Sequence, residues 1–250
     1  MSLHLILLTD RQIRDAAYGL YSYIKEYLGK GHSVLYAAER KSARLILRLS
    51  KDYDLRRHIK SGSLKVIDRD AIFPKGRALT SDKLLKDLLE PVISSIQKEK
   101  QKHVIAVGSH SHLFKDFKQL IKYERSLSRL LKKCRMFVCC YTQKHLAALS
   151  TPVLINLVSC HTHSLHKGCI FRPWQEQDII RIIGSGIDAA LGSGMSRLIL
   201  KTLKMVYKMD THDIISDPER FESILGRVLC RWKDKVMQSI REAMISQMQY

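Results

Sequence analysis

Three groups of residues carry side chains able to do chemistry. The first is a series of polar residues that close short apolar runs: Thr9/Asp10, Ala38/Glu39, Asp68/Arg69, Ser109/His110 and Tyr141/Thr142. If those runs are parallel strands, ligands bind beyond their carboxyl ends and the series forms one rim. A rim that holds nucleotide phosphates needs a glycine-rich turn whose amides face the anion, followed by Lys and Ser or Thr. The turn after the first run reads Leu8-Thr9-Asp10-Arg11-Gln12-Ile13-Arg14-Asp15. It has no glycine, and Asp10 would repel a phosphate. Neither GxxxxGK[ST] nor GxGxxG occurs anywhere, and Gly184-Ser185-Gly186 falls in a later helical region. No Ser/His/Asp order or Cys/His nucleophile pattern stands out either. A non-catalytic protein is expected.

The second group lies on one helix, expected over residues 115–132. Lys115, Lys118, Lys122, Arg125, Arg129 and Lys132 recur at alternating spacings of three and four, which makes a continuous basic stripe. Leu113, Phe117, Leu120, Leu127 and Leu131 lie opposite. Glu124 falls among these apolar residues, where a carboxylate must find a donor or leave water at a cost. Three readings are open: a carboxylate half exposed at the helix edge, one paired with a structural arginine, or a group that lines a ligand pocket.

The third group is His161-Thr162-His163-Ser164-Leu165-His166, flanked by Cys160 and Cys169. Histidines two apart on a strand share a face. The spacing matches no standard zinc framework, so packing or pocket-lining roles are expected, with no metal and no cofactor. His110 and His112 could line the rim.

The elements that must position these groups follow from hydrophobic periodicity. Strands are expected over residues 4–8, 33–38, 64–68, 103–108 and 136–141, each short and apolar, as central parallel strands are. Amphipathic segments between them read as helices, among them 11–28, 81–99 and 115–132. Alternating strands and helices imply right-handed crossovers and a mainly parallel sheet covered on both faces. After Tyr141 the rhythm changes to short helices over 144–149 and 152–159. A last strand or hairpin is then expected over 162–171. Beyond Pro173 the pattern is helical to the end. Ile179, Ile182, Ile183 and Ile187 keep helical spacing, Gly192-Ser193-Gly194 breaks it, and Asp217-Pro218 reads as a capped helix start. The expected division is an α/β domain over 1–172 and an all-helical segment over 173–250.

Composition narrows the partners. Forty-three Lys and Arg against 24 Asp and Glu give a formal charge of +19, which suggests anionic partners. A nucleic-acid surface would use the 115–132 stripe together with Arg197, Lys201, Lys204 and Lys208. The stripe has no interleaved aromatics for base stacking, so a solvated helix face is the favoured reading. No apolar run approaches the roughly 18 residues of a membrane span. The opening apolar segment lacks a small-residue cleavage site, so it does not read as a signal peptide. Six cysteines without a C-x-x-C pair, in a chain long enough to build a core, fit the cytoplasm.

The order of these motifs resembles the MEDS domain, the methanogen/methylotroph DcmR sensory domain. The resemblance rests on His4-Leu5-Ile6-Leu7-Leu8-Thr9-Asp10, on Tyr123-Glu124-Arg125-Ser126-Leu127, on Cys139-Cys140-Tyr141, and on a closing His161 or His163. It covers roughly residues 2–172. It implies a RecA/KaiC-like fold without a phosphate-binding loop, a role in sensing small hydrocarbon derivatives, and ligand-facing His4, Glu124, Tyr141 and His161. The chain departs from the family's pattern in two ways. No helix-turn-helix precedes the first strand, which argues against direct DNA recognition, and Thr9-Asp10 replaces a longer acidic run. The expected protein is a regulatory one that binds a small organic ligand at the sheet rim through His4, Asp10, Glu39, His110, Glu124, Tyr141 and His161. Its helical tail would pass the signal to a partner or a second copy. The competing expectation is a basic nucleic-acid-binding protein.

Overall fold

The computed structural model describes residues 3–9, 13–52, 55–68, 71, 80–100, 104–108, 116–166 and 169–248. The chain folds as two compact units. One comprises Met1–His145 with His163–Phe171, and the other Leu146–Thr162 with Arg172–Tyr250.

The first unit is built on a sheet with strands β1 (Leu3–Thr9), β2 (Ser33–Ala38), β3 (Leu64–Asp68), β4 (Val104–Gly108), β5 (Met136–Thr142), β6 (His163–His166) and, at its edge, β7 (Cys169–Pro173). Their order is β3-β2-β4-β5-β1-β6-β7. Every pair from β3 through β6 is parallel. β2 and β4 are buried along their whole length, as continuous Val/Ile/Leu/Ala strands covered on both faces must be.

The direction of each crossover decides which face its helix covers. The chain moves from β1 to β2 through α1 (Ile13–Gly29) and from β2 to β3 through α2 (Arg40–Asp52) and α3 (Arg56–Lys60). It then returns across the sheet. A short α4 (Ser81–Leu84), a π turn (Leu85–Leu89) and α5 (Glu90–Lys100) precede β4, and α6 (Phe117–Leu130) precedes β5. Right-handed crossovers in opposite directions place the two helix sets on opposite faces. The α1/α2 face holds one apolar cluster, including Leu5, Leu20, Tyr23, Ile24, Val34, Tyr36, Ile46, Val107, Val138 and Cys140. Alternation along the strands turns Ile6, Leu35, Ala106, Phe137 and Cys139 to the other face. Gly31 ends the α1 turn at φ +81°, a conformation glycine adopts without strain.

α7 (Gln143–Ala147) spans the boundary at His145, and the second unit is helical, with α8 (Thr151–Ser159), α9 (Glu176–Leu191), α10 (Met195–Tyr207), α11 (Thr211–Ser216), α12 (Pro218–Leu229) and α13 (Lys233–Gln247). Residues 146–162 group with these helices, whereas the sequence pattern puts the boundary at 172/173. The reason is packing: Leu154, Ile155, Leu157 and Val158 are buried, and the Thr151 hydroxyl donates to the Met237 carbonyl at 2.7 Å. The tail starts follow their caps. Asp217 accepts from the Arg220 amide at 3.1 Å with Pro218 at the first helical position, and Asp210 and Asp213 form a capping box on α11.

Asp188 caps α10 across the 192–194 corner, where Gly192 and Gly194 have φ of +107° and +85°. Its carboxylate accepts from the Ser196 amide at 2.7 Å and the Ser196 hydroxyl at 2.9 Å. The backbone bond from Ser196 is the main force holding its pKa below the ordinary 3.8. A depressed carboxylate pKa stabilises the fold above the unfolded value, and that stabilisation is lost as pH falls through the folded value. Asp188→Asn is therefore expected to lower the melting temperature at neutral pH. The gap to wild type should narrow as pH drops below 3.8, as thermal melts across an acid series would show.

Candidate functional site

The candidate site lies on the sheet face under α6. β1 and β5 pair in a register that sets His4 opposite Phe137 and Ile6 opposite Cys139. Since alternate residues share a face, His4, Phe137, Cys139 and Tyr141 all turn toward α6. α6 starts where Asp116 accepts from the Lys118 amide at 2.9 Å. Its helical period then buries Leu120, Tyr123, Glu124 and Leu127 while exposing Lys118, Lys122, Arg125 and Arg129. Glu124 enters the protein on the apolar side and is only 2% exposed.

Four chemically able side chains converge there. Tyr141 Oη donates to Glu124 Oε1. Cys139 Sγ donates to Glu124 Oε2 at 3.3 Å. His4 Nε2 lies 3.2 Å from that same oxygen and 3.3 Å from Cys139 Sγ. The His4 ring meets Phe137 edge-on, with centroids 6.3 Å apart and planes at 88°. Burial pushes the Tyr141 phenol well above its ordinary value, and the Glu124 charge pushes it further. Tyr141 thus stays a proton donor. Burial is also the main force raising the neighbouring Tyr123 phenol, with Cys139 and Glu124 adding to it. Each partner offsets part of the cost of burying a carboxylate away from water.

Cys140, one residue on, faces the opposite way. It joins the α1/α2 apolar cluster, where burial pushes its thiol up to about 12. The adjacent cysteines therefore have separate roles. Sequence reasoning misses Cys139 as a site residue because it reads as one of a run of buried strand residues. The period of two that places Tyr141 on this face places Cys139 there as well, so a signal is present.

Glu39 follows β2 at its carboxyl end and is half-buried. Its charge opposes the downward shift that burial imposes on His145. Close by along that end, Arg40 Nε pairs with Asp68 at 3.0 Å. Asp10, His110, His112, Leu113 and Lys115 fall outside the described residues. Among the described candidates the rim thus holds Glu39, while His4 sits at the amino end of β1 and only Tyr141 reaches toward the carboxyl end. The cluster covers the sheet face more than its rim.

His161 belongs to the helical unit. It follows α8, is 3% exposed, and its Nδ1 donates to the Leu157 carbonyl at 2.8 Å. A carbonyl can only accept, so Nδ1 carries a proton. His163 is half-exposed on β6, with its pKa lowered by partial burial.

Of the proposed basic positions, Lys118, Lys122, Arg125, Arg129 and Lys132 are exposed, as are Arg197, Lys201, Lys204 and Lys208. Lys122 is held by Asp82 at 2.8 Å. Phe117, expected on the apolar side, is 38% exposed at the first turn of α6.

The family model of the MEthanogen/methylotroph, DcmR Sensory domain (MEDS) matches residues 4–162. The chain belongs to the MEDS family. That span holds His4, Glu124, Cys139, Tyr141 and His161. The chain is also similar to solved structures. Flagellar accessory protein FlaH from Methanocaldococcus jannaschii is 14% identical, with a TM-score of 0.47 over 65% of this chain and 69% of that one. A KaiC-like protein from Pyrococcus horikoshii OT3 is 14% identical, with a TM-score of 0.44 over 65% of this chain and 70% of that one. No curated protein matches. Among the described residues, no helix of this MEDS-family chain is long and apolar enough to cross a membrane.

Proposed function

We propose that this MEDS-family chain is a non-catalytic sensory module that binds a small organic molecule at the buried His4–Glu124–Cys139–Tyr141 group. One observation carries the reading. Four side chains able to donate, accept or coordinate are gathered on one buried sheet face, within the segment that defines a sensory family. A core that needed only packing would place apolar residues there, because burying an ionisable pair seldom adds stability over well-packed apolar residues. Glu39, and Asp10 and His110 by their sequence positions, serve as rim residues in this proposal. His161 enters it through the family motif. Binding would shift the module between two states only if the ligand prefers one of them, and the α9–α13 helices are the proposed route to a partner or a second copy.

A thermal-shift panel of short-chain alcohols, amines, thiols and halocarbons tests the reading. Wild type should be stabilised by at least one class, and Glu124→Gln and His161→Ala should lose the response while remaining folded. Equal responses in all three proteins, or none in wild type, would sink the assignment.

The exposed basic stripes favour a second reading, a nucleic-acid surface. Binding carried by phosphate contacts weakens steeply with salt. If this surface is used, Lys118→Glu with Arg125→Glu should weaken binding to mixed-sequence duplex at ~50 mM salt and make what remains less salt-dependent. Salt-insensitive binding, or none, would remove this reading.

A further inference from the structure

The separations among His4, Cys139 and Glu124 suit a metal ion as well as a hydrogen-bonded network. Their donor atoms form a nearly equilateral triangle: His4 Nε2 to Glu124 Oε2 is 3.2 Å, Glu124 Oε2 to Cys139 Sγ is 3.3 Å, and Cys139 Sγ to His4 Nε2 is 3.3 Å. Tetrahedral coordination at metal–ligand lengths of about 2.0–2.3 Å separates neighbouring donors by about 3.4–3.6 Å. A shift of a few tenths of an ångström is all that coordination requires. The three groups are among those whose ligand atoms lie within 4.8 Å of one another, and all three are buried.

We propose that the MEDS cluster holds a divalent d-block cation of the zinc type, with His4 Nε2, Cys139 Sγ and Glu124 Oε2 among its ligands. This rests on the reading of the cluster as the functional site and gives that site its chemistry. Three arguments select the class of ion. One thiolate, one imidazole and one carboxylate form a borderline-soft donor set that suits zinc, cobalt or iron and leaves too few oxygens for magnesium or calcium. Charge closes as well: a thiolate and a carboxylate sum to −2, which a dication cancels, and a buried site must end near neutral. Finally, outer contacts orient the ligands as they do in metal sites. Tyr141 Oη fixes the Glu124 carboxylate through Oε1, leaving Oε2 toward the triangle, and Phe137 fixes the His4 ring edge-on.

Loading breaks the Cys139 S–H bond, forms a sulfur–metal bond and releases the proton to solvent. The metal-free cluster is held by that same proton, which Cys139 donates to Glu124. The site therefore alternates between a proton-held and a metal-held form.

The test uses the full chain, stripped with a chelator and titrated with Co²⁺. Wild type should take one Co²⁺ per chain, with a thiolate-to-cobalt charge-transfer band that one equivalent of Zn²⁺ bleaches. Cys139→Ser should lose the band, and Cys230→Ser, at an exposed cysteine, should keep it. Tyr141→Phe should keep the band while weakening affinity about 10- to 100-fold, the effect of removing an outer-shell partner. His4→Gln gives a second ligand variant should Cys139→Ser not fold. A folded wild type with no band, or a band that survives both Cys139→Ser and His4→Gln, would overturn the proposal. Running the organic panel on stripped and loaded protein separates the two failures. Stabilisation of stripped protein with no cobalt band would leave the sensory reading standing without the metal. A band with no organic response would leave the metal standing without the sensory reading.

Discussion

Replacing Glu124 with alanine should destabilise the protein by about 3 kcal/mol, the scale of breaking a buried charged network by removing one partner. Tyr141 Oη, Cys139 Sγ and His4 Nε2 all make contacts with this carboxylate. Truncation leaves a cavity and takes their shared acceptor away at once, and the stranded polar groups cost more than the bonds they lost. Glu124→Gln keeps the volume and one carbonyl acceptor, so its cost should be smaller, about 1–2 kcal/mol. Tyr141→Phe, which strips a single donor, should cost about 1 kcal/mol. Urea melts of the three variants read the order directly. A glutamine variant as stable as wild type would mean that the volume of Glu124, and not its carboxylate, stabilises the fold.

Gly186→Ala should be the most damaging substitution in the helical unit. α9 and α13 approach so closely at this position that a Cβ on residue 186 would lie 2.5 Å from Ile240 Cα and 2.7 Å from its amide nitrogen. Both contacts are with backbone, which cannot rotate away as a side-chain tip can. The helices must separate, and Ile182, Ile183, Ile187, Val236 and Met244, all buried, lose packing with them. Overpacking of this kind costs about 3 kcal/mol, against the gain of under ~1 kcal/mol that Gly→Ala brings to an open helix. For a chain of this size that is a fall of roughly 6–12 °C in melting temperature. Gly184→Ala, two residues back, is the control. Its Cβ would meet only Ser196 Cβ at 3.5 Å and Oγ at 3.7 Å, so its melting temperature should stay level or rise. A mild Gly186→Ala phenotype would show that α9 and α13 can part at little cost.

Much of the architecture can be read from residue order. The runs at 33–38 and 64–68 are strands with those same ends, because β-branched and apolar residues bounded by turns leave little freedom of register. The isoleucine spacing of α9 and the Asp217-Pro218 start of α12 are legible for the same reason: each is a local physical constraint. The grouping of 146–162 with the tail is not legible. α8 is apolar on nearly every side, so its periodicity names no packing partner. The π turn at Leu85–Leu89 is equally silent, since its side chains fit the α-helical pattern around it.

The site is legible in part. Glu124 stands out because a carboxylate on an apolar helix face demands an explanation, and the structure gives it Tyr141, Cys139 and His4 as partners. His4 is not derivable from spacing, because a histidine at the head of a strand can face either side until the neighbouring strand is known. The β1–β5 register supplies that knowledge. Cys139 is hidden by its own burial, and the rim reading draws attention to strand ends where the cluster occupies a face. The separation of Cys139 from Cys140 shows why identity alone is insufficient: two adjacent thiols serve opposite surfaces of one sheet.

The most direct measurement of ligand binding at the His4–Glu124–Cys139–Tyr141 group is the imidazole ¹⁵N spectrum of the full chain as the panel compound that stabilises it most is titrated in. The buried His4 resonances should move in step with saturation, while those of exposed His212, paired with Glu176 at 2.8 Å, stay fixed. A saturated protein in which His4 is unmoved would contradict binding at this group and place the ligand away from the β1–β5 face.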